Sequence, residues 1–205
     1  MSNKPSLFVI SAPSGAGKTT LVKELIKRNP EFKSSISYTT REKRLTEIEG
    51  TDYLFVKEAE FQGLKTKGEL LESALVFDNH YGTSRSQVEQ HFANDHHVIL
   101  EIDWQGAQQV RQAKPDCITI FVLPPSLAEL ERRVRKRGTD SDTVIQKRLS
   151  EAFGDMSHWK EFDYVIINDD LQLAITELAS VFYGQAATNN VENKNLQKKV
   201  AKIVG

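Results

Sequence analysis

A phosphate-binding loop is predicted near the start of the chain, where residues 11–20 read Ser-Ala-Pro-Ser-Gly-Ala-Gly-Lys-Thr-Thr after the apolar run 7–10. A strand that turns through glycines into a helix presents backbone N–H groups and the positive helix end to an anion. In this pattern Lys18 reaches the β- and γ-phosphates, and the Thr19 hydroxyl is a ligand of Mg²⁺. The usual motif has glycine where this chain has Ala12, so an ordinary turn before a helix stays open as the alternative.

An arginine-rich helical segment is the second candidate site. Arg133 and Arg137 are four residues apart and share one helix face, and Arg148 follows. Like charges on one face repel each other, which indicates an anionic ligand, and a guanidinium binds two phosphate oxygens at once. The alternative is a solvated helix in which Glu129 and Glu131 are the partners of these arginines.

No side chain in the sequence stands out as a catalytic base. The second pKa of a phosphate monoester is about 6, so a nucleoside monophosphate acceptor is mostly dianionic at neutral pH. Such an acceptor has no proton to lose. The enzyme must instead neutralise the repulsion between two anions and hold them in line, which Lys18, Mg²⁺ and arginines are suited to do.

Composition and charge bound the class of protein. The chain has 205 residues, a formal net charge of −1 and a single cysteine, Cys117. One cysteine excludes an intrachain disulfide and fits a reducing compartment, and the small net charge gives no field that would attract nucleic acid. The first residues lack a signal-peptide layout, and no apolar run approaches the roughly 20 residues of a membrane span. We therefore expect a cytoplasmic protein without a nucleic-acid or membrane partner.

Strands and helices alternate along the chain and must position these residues. Short apolar runs at 7–10, 98–102, 118–123 and 164–167 predict strands that are covered on both faces. Helical stretches follow near 18–28, 105–112, 126–136 and 171–183, and Ser126 with Glu129 forms a capping box. The alternation predicts a doubly wound α/β fold with a parallel sheet and ligands at the carboxyl ends of the strands.

Two stretches interrupt the alternation. Residues 34–86 lack a long helix and carry strand-like pieces at 53–56 and 70–77, and residues 126–159 are charged and helical. Each is predicted to be an insertion over the strand ends, which leaves a core of about 6–33, 87–125 and 160–184.

The tail, residues 185–205, is rich in Asn, Gln and Lys, and we expect it to be less ordered. Leu196, Val200 and Ile203 have helical spacing within it. They indicate either a frayed amphipathic helix or a surface that docks on a partner.

The segment from Ser37 to Tyr53 resembles the acceptor-site signature of the guanylate kinase family. It reads Ser37-Tyr38-Thr39-Thr40-Arg41 and continues with Arg44, Glu47, Gly50 and Tyr53 at the family's spacing. The match runs on through Glu72, Tyr81-Gly82-Thr83, Glu101-Ile102-Asp103, the arginine set and Ile167-Asn168-Asp169, and it covers residues 6–184. The loop form with Ala12 is similar to bacterial members. Lys43 and Thr46 depart from the proline and glycine that are common there, which affects the turn between Arg44 and Glu47.

This resemblance implies a P-loop NTPase core, a GMP-binding subdomain at about 34–86 and a helical lid at about 126–159. It implies Mg²⁺-dependent transfer of the γ-phosphoryl group of ATP to GMP or dGMP, and it leaves a homo-oligomer possible. The implied catalytic residues are Lys18, Arg44, Arg133, Arg137 and Arg148. The implied ATP-binding residues are Pro13, Ser14, Gly15, Ala16, Gly17, Lys18, Thr19, Thr20 and Asn168. The implied GMP-binding residues are Ser37, Arg41, Arg44, Tyr53, Glu72, Tyr81, Thr83 and Asp103. Thr19 would hold Mg²⁺, with waters near Asp103.

The chemistry of guanine agrees with these assignments. Its N1–H and 2-amino group are adjacent donors that a carboxylate such as Glu72 accepts together, whereas adenine offers no such pair. Two other functions share parts of the pattern: a guanylate-kinase-like module that binds phosphopeptides, and a phosphotransferase acting on a sugar phosphate. The intact sequence Gly17-Lys18-Thr19 argues against the first, and the predicted base-facing residues argue against the second.

Overall fold

The computed structural model describes residues 4–136 and 142–205. Within them the strands are β1 (Leu7–Ser11), β2 (Phe32–Ser34), β3 (Tyr38–Thr39), β4 (Leu54–Phe55), β5 (Leu70–Val76), β6 (Asn79–Ser84), β7 (His97–Glu101), β8 (Ile118–Leu123) and β9 (Tyr164–Ile167). The α-helices are α1 (Lys18–Arg28), α2 (Glu58–Thr66), α3 (Arg85–Ala93), α4 (Trp104–Ala113), α5 (Leu127–Lys136), α6 (Asp142–Ser157), α7 (Leu171–Phe182) and α8 (Lys194–Val204). Short 3₁₀ turns lie at His158–Glu161 and Ala187–Asn189.

Two sheets carry the fold. The five-stranded sheet has the order β2-β7-β1-β8-β9, and its pairs β2/β7 and β8/β9 are parallel. The four-stranded sheet has the order β4-β3-β6-β5, with parallel β3/β4 and antiparallel β3/β6 and β5/β6. The four apolar runs of the sequence form β1, β7, β8 and β9, so the predicted α/β fold with a parallel sheet is confirmed.

The chain separates into two compact units, which we call the loop unit and the acceptor unit. The loop unit comprises Ile10–Asn29 and the described residues of Thr119–Gly205, and the acceptor unit comprises Pro30–Ile118 with residues 4–9. Among the described residues, no helix is both long and apolar enough to cross a membrane.

In the loop unit, α1 packs against α7, and Leu21, Val22 and Leu25 of α1 are buried. The start of α5 confirms half of the predicted capping box, because the backbone N–H of Glu129 donates to Ser126 Oγ at 3.1 Å. The phosphate loop, which we define as residues 11–20, continues directly into α1 at Lys18.

The tail of the loop unit is ordered, so the expectation of a frayed tail is wrong. Helix α8 packs against α6, and its Leu196, Val200 and Ile203 are buried within the chain itself. Asn193 caps the helix, since its Oδ1 accepts from the backbone N–H of Leu196 at 3.2 Å. Buried Asn189 ties the preceding turn to the sheet by donating to the carbonyl of Val165 at 3.3 Å.

In the acceptor unit, the region 34–86 contains all four strands of the four-stranded sheet and also helix α2, which the sequence pattern did not predict. Phe61 is the one residue of α2 that is buried, so the helix has little apolar periodicity to reveal it. The predicted strand-like piece at 70–77 forms β5, and helix α4 packs against it. This packing sets the position of the side chains that project from β5.

Candidate active site

The phosphate loop has the geometry of an anion site. Gly15 and Gly17 have φ angles of +96° and +93°, a left-handed conformation that glycine adopts without strain. Helix α1 begins directly after them at Lys18. Its N-cap residue is Gly17, so no side chain of the N-cap residue occupies the N–H groups of the first turn. The first N–H groups of α1 therefore lie where a phosphate would find donors and the positive end of the helix dipole.

Asn168 and Arg133 support this loop from within the loop unit. The Asn168 side chain is buried and donates through Nδ2 to the carbonyl of Ala16 at 2.7 Å. Arg133 donates to the same carbonyl at 3.3 Å and to the carbonyl of Asn168 at 3.0 Å. A Cβ atom on Gly17 would stand 2.5 Å from Asn168 Nδ2, so only glycine fits there. The amide N–H of Asn168 is thus used by the loop, while its predicted contact with adenine stays a prediction.

The arginines of α5 have protein partners, so the expectation of unpaired charges is wrong for those that the structure describes. Glu129 accepts from Arg132 at 2.6 Å and from Arg133 at 2.7 Å, and Arg135 pairs with Glu131 at 2.8 Å. The hydrogen bonds from Arg132 and Arg133 lower the pKa of Glu129 to about 2. The sequence pattern allowed this pairing as its alternative.

The two remaining arginines of the predicted set are Arg137 and Arg148. Arg137 lies outside the described residues. Arg148 is on α6 with an intermediate exposure. Their predicted contact with the transferring phosphoryl group remains a prediction.

The predicted acceptor-phosphate residues Arg41, Tyr53 and Tyr81 lie together in the four-stranded-sheet region. The Arg41 guanidinium lies 5.4 Å from the ring centre of Tyr53, and its Nε donates to Tyr81 Oη at 3.2 Å. The rings of Tyr53 and Tyr81 pack edge to face with centres 5.9 Å apart. Ser37 joins them through its carbonyl, which accepts from the N–H of Leu54 at 2.9 Å. Burial, followed by the nearby Tyr81 hydroxyl, raises the pKa of Tyr53 to about 12, so this phenol remains a donor at neutral pH.

Glu47 organises this cluster, a role that the sequence pattern did not reveal. Its carboxylate accepts two hydrogen bonds from Arg41, at 2.7 and 3.1 Å, and one from the backbone N–H of Arg44 at 2.8 Å. Burial acts to raise the pKa of Glu47, but these hydrogen bonds outweigh it and hold the pKa below its usual value. Glu47 therefore orients Arg41 and closes the turn that carries Arg44, whose side chain is half exposed. In the sequence, the signal for this ion pair is the spacing of six residues between Arg41 and Glu47.

The predicted base-facing residues are also brought together. Glu72 on β5 is 4% exposed, and its Oε1 accepts from the hydroxyl of buried Thr83 on β6 at 2.7 Å. Asp103 caps α4, because its Oδ1 accepts from the backbone N–H of Gly106 at 2.8 Å. Both carboxylates lie beside Gly106. Two acidic groups and a hydroxyl at one point are suited to bind a base that presents several donors.

The side chains near the phosphate loop fit a magnesium ion held mainly by its nucleotide. Among the residues that the structure describes, no three His, Cys, Asp or Glu side chains cluster as a metal cage. Mg²⁺ in phosphate-transfer sites is usually held by one or two protein oxygens, substrate phosphates and water. Thr19 in the first turn of α1 is exposed and provides such an oxygen.

Comparisons with known proteins agree with this geometry. Residues 4–185 match the family model described as guanylate kinase. A guanylate kinase of Hydrogenovibrio crunogenus is 53% identical over 177 residues, covering 86% of each chain. A guanylate kinase of Escherichia coli K12 is 43% identical over 201 residues, covering 97% of each chain. The crystal structure of guanylate kinase from Anaplasma phagocytophilum superposes with a TM-score of 0.75 at 32% identity, covering 90% of this chain and 87% of that one. The chain belongs to the guanylate kinase family, and it is therefore a nucleoside monophosphate kinase.

Proposed function

We propose that the chain transfers the γ-phosphoryl group of ATP to GMP, and to dGMP, giving ADP and GDP or dGDP. The observation that carries this proposal is the buried Glu72 carboxylate, which Thr83 holds at 2.7 Å in the acceptor unit. A buried carboxylate must be matched by donors, and the N1–H and 2-amino group of guanine supply two adjacent ones. AMP has no such pair of donors, and the N1 atom of adenine is an acceptor that would face the carboxylate oxygens, so the site would reject AMP.

The acceptor phosphate would be bound by the cluster around Arg41. Its guanidinium is already oriented by Glu47 and stacked on Tyr53, so little side-chain freedom is lost when a phosphate binds. The hydroxyls of Tyr53 and Tyr81 would add neutral donors, as would Ser37, and Arg44 would approach from the turn. These residues hold the acceptor but remove no proton from it.

The donor phosphates would lie on the phosphate loop of the loop unit. Lys18 would bind the β- and γ-phosphates, the loop N–H groups would bind their oxygens, and Arg133, Arg137 and Arg148 would neutralise charge on the transferring group. When bound, Mg²⁺ would neutralise charge on the phosphate oxygens, and the Thr19 hydroxyl of the loop unit would provide one of its ligand oxygens. In this proposal residues 34–86 bind the acceptor nucleotide, and residues 126–159 form the lid.

We further propose that the protein acts in the cytoplasm. The single cysteine, Cys117, is free and buried in the acceptor unit, which is compatible with a reducing compartment. A homo-oligomer remains a hypothesis that measurement of the mass in solution would decide.

A coupled assay of ADP release tests the proposed reaction. The protein and Mg²⁺–ATP are mixed with GMP, dGMP, AMP or ribose 5-phosphate in separate reactions. We expect ADP release with GMP and dGMP and only background with the other two. Release with ribose 5-phosphate equal to that with GMP would favour a sugar-phosphate kinase, and no release with GMP would refute the proposal.

A further inference from the structure

We propose that Gly106 determines specificity for the acceptor base, by admitting the Glu72 carboxylate against the first turn of α4. Gly106 touches no substrate in this view and is a positioning residue. The inference rests on the proposed function, in which Glu72 reads guanine.

The space beside Gly106 is already filled by the two carboxylates. A Cβ atom on this residue would stand 2.6 Å from Glu72 Oε2 and 3.2 Å from Glu72 Cδ and Asp103 Oδ1. The first distance is shorter than real Cβ atoms show, so an alanine here must displace Glu72. The backbone itself does not demand glycine, because Gly106 lies inside α4 and does not have a positive φ. Glycine destabilises a helix interior relative to alanine, so its presence needs another reason, and the close approach of Glu72 supplies one.

The surroundings prevent α4 from moving aside. Gln109, one turn beyond Gly106, clamps Ser73 next to Glu72: it accepts from the Ser73 N–H at 3.1 Å and donates to the Ser73 carbonyl at 2.9 Å. These paired hydrogen bonds fix the spacing between α4 and β5. A side chain at position 106 would therefore be accommodated by rotation of the Glu72 carboxylate rather than by separation of the helix and strand.

Rotation of this carboxylate would impair base recognition but not the fold. Two adjacent donors on a planar base require both carboxylate oxygens in the base plane, while Thr83 already fixes one oxygen. A carboxylate turned out of that plane keeps one hydrogen bond and loses the other.

The test compares Gly106→Ala with Gly63→Ala. Gly63 lies inside α2 of the same unit and has nothing within 4 Å of its would-be Cβ, so it is a matched helical control. For Gly106→Ala we expect the KM for GMP to rise about ten- to a hundredfold, the cost of one hydrogen bond to a charged group. The KM for ATP and the melting temperature should match those of Gly63→Ala, whose KM for GMP should equal that of the wild type.

A double variant separates positioning from a general defect. If Gly106 acts through Glu72, adding Gly106→Ala to Glu72→Gln should raise the KM for GMP little further. An unchanged KM for GMP in Gly106→Ala would overturn the inference, as would a lower melting temperature with equal losses for ATP and GMP. GMP titration by calorimetry gives the same comparison without turnover. Absence of ADP release by the wild type would instead refute the proposed function.

Discussion

Replacing Asn168 by aspartate should loosen the phosphate loop without changing the volume of the side chain. The wild-type amide donates to the carbonyl of Ala16 at 2.7 Å, and the other described donor to that carbonyl, Arg133, is farther away at 3.3 Å. The substitution removes the closer donor and sets a carboxylate oxygen against the carbonyl oxygen. Since Asn168 is 5% exposed, water is poorly placed to replace the lost hydrogen bond.

The magnitude follows from that contact. A buried carbonyl that loses its partner costs about 1–3 kcal/mol, and a chain of this size loses roughly 2–4 °C of melting temperature per kcal/mol. We therefore expect melting to fall by about 2–12 °C, and the KM for ATP to rise about five- to a hundredfold if the loop must order to bind phosphate. The GMP-binding constant should stay the same, because the affected contacts lie in the loop unit.

Thermal melting and calorimetric titration with each nucleotide measure these effects. Asn168→Leu removes the donor without adding a charge and should show the same pattern, whereas Asn195→Asp, at an exposed position of α8, is the control. Wild-type melting and wild-type ATP affinity in both Asn168 variants would refute the role that we give to this amide.

Three further predictions concern other parts of the molecule. Lys18→Met should lower kcat by about a hundredfold or more with GMP affinity retained, as kinetics and calorimetry would show; equal losses of both would contradict it. Glu47→Gln should raise the KM for GMP about three- to tenfold, because Arg41 loses its charged partner; an unchanged KM would contradict it. Burial lowers the pKa of His97 from 6.5, and its Nδ1 accepts from the N–H of Ser6 at 3.0 Å, so the folded state favours the neutral ring. Its stabilising contribution is therefore present above pH 6.5 and is lost as the pH falls toward the lower folded pKa. Between about pH 7.5 and about pH 5.5, the free energy of unfolding measured with urea should therefore fall less in His97→Asn than in the wild type. An equal fall in both proteins would contradict this prediction.

The strands and the phosphate loop could be predicted because their signals are local. Apolar runs such as Ile118–Leu123 are nearly continuous and their strands are buried, as a parallel sheet requires. The order Gly15, Gly17 and Lys18 also predicts a turn followed by a helix, and the structure has both.

Other features depend on tertiary contacts that local patterns do not carry. The polar composition of the tail indicates disorder, yet three apolar side chains, including fully buried Val200, are enough to dock α8. The partners of Arg133 include two carbonyls, Ala16 and Asn168, that are distant in sequence. The contact between Gly106 and Glu72 likewise joins a helix to a strand, and no sequence spacing predicts it.

The central claim, that Glu72 selects guanine by its paired donors, is tested most directly by measuring kcat/KM for GMP and IMP with the wild type and Glu72→Gln. IMP keeps the N1–H and lacks the 2-amino group, so it removes one of the two donors that a carboxylate would accept. We predict that the wild type prefers GMP over IMP by about tenfold or more, and that Glu72→Gln loses most of this preference. Equal use of GMP and IMP by the wild type, or an unchanged preference in Glu72→Gln, would contradict the account.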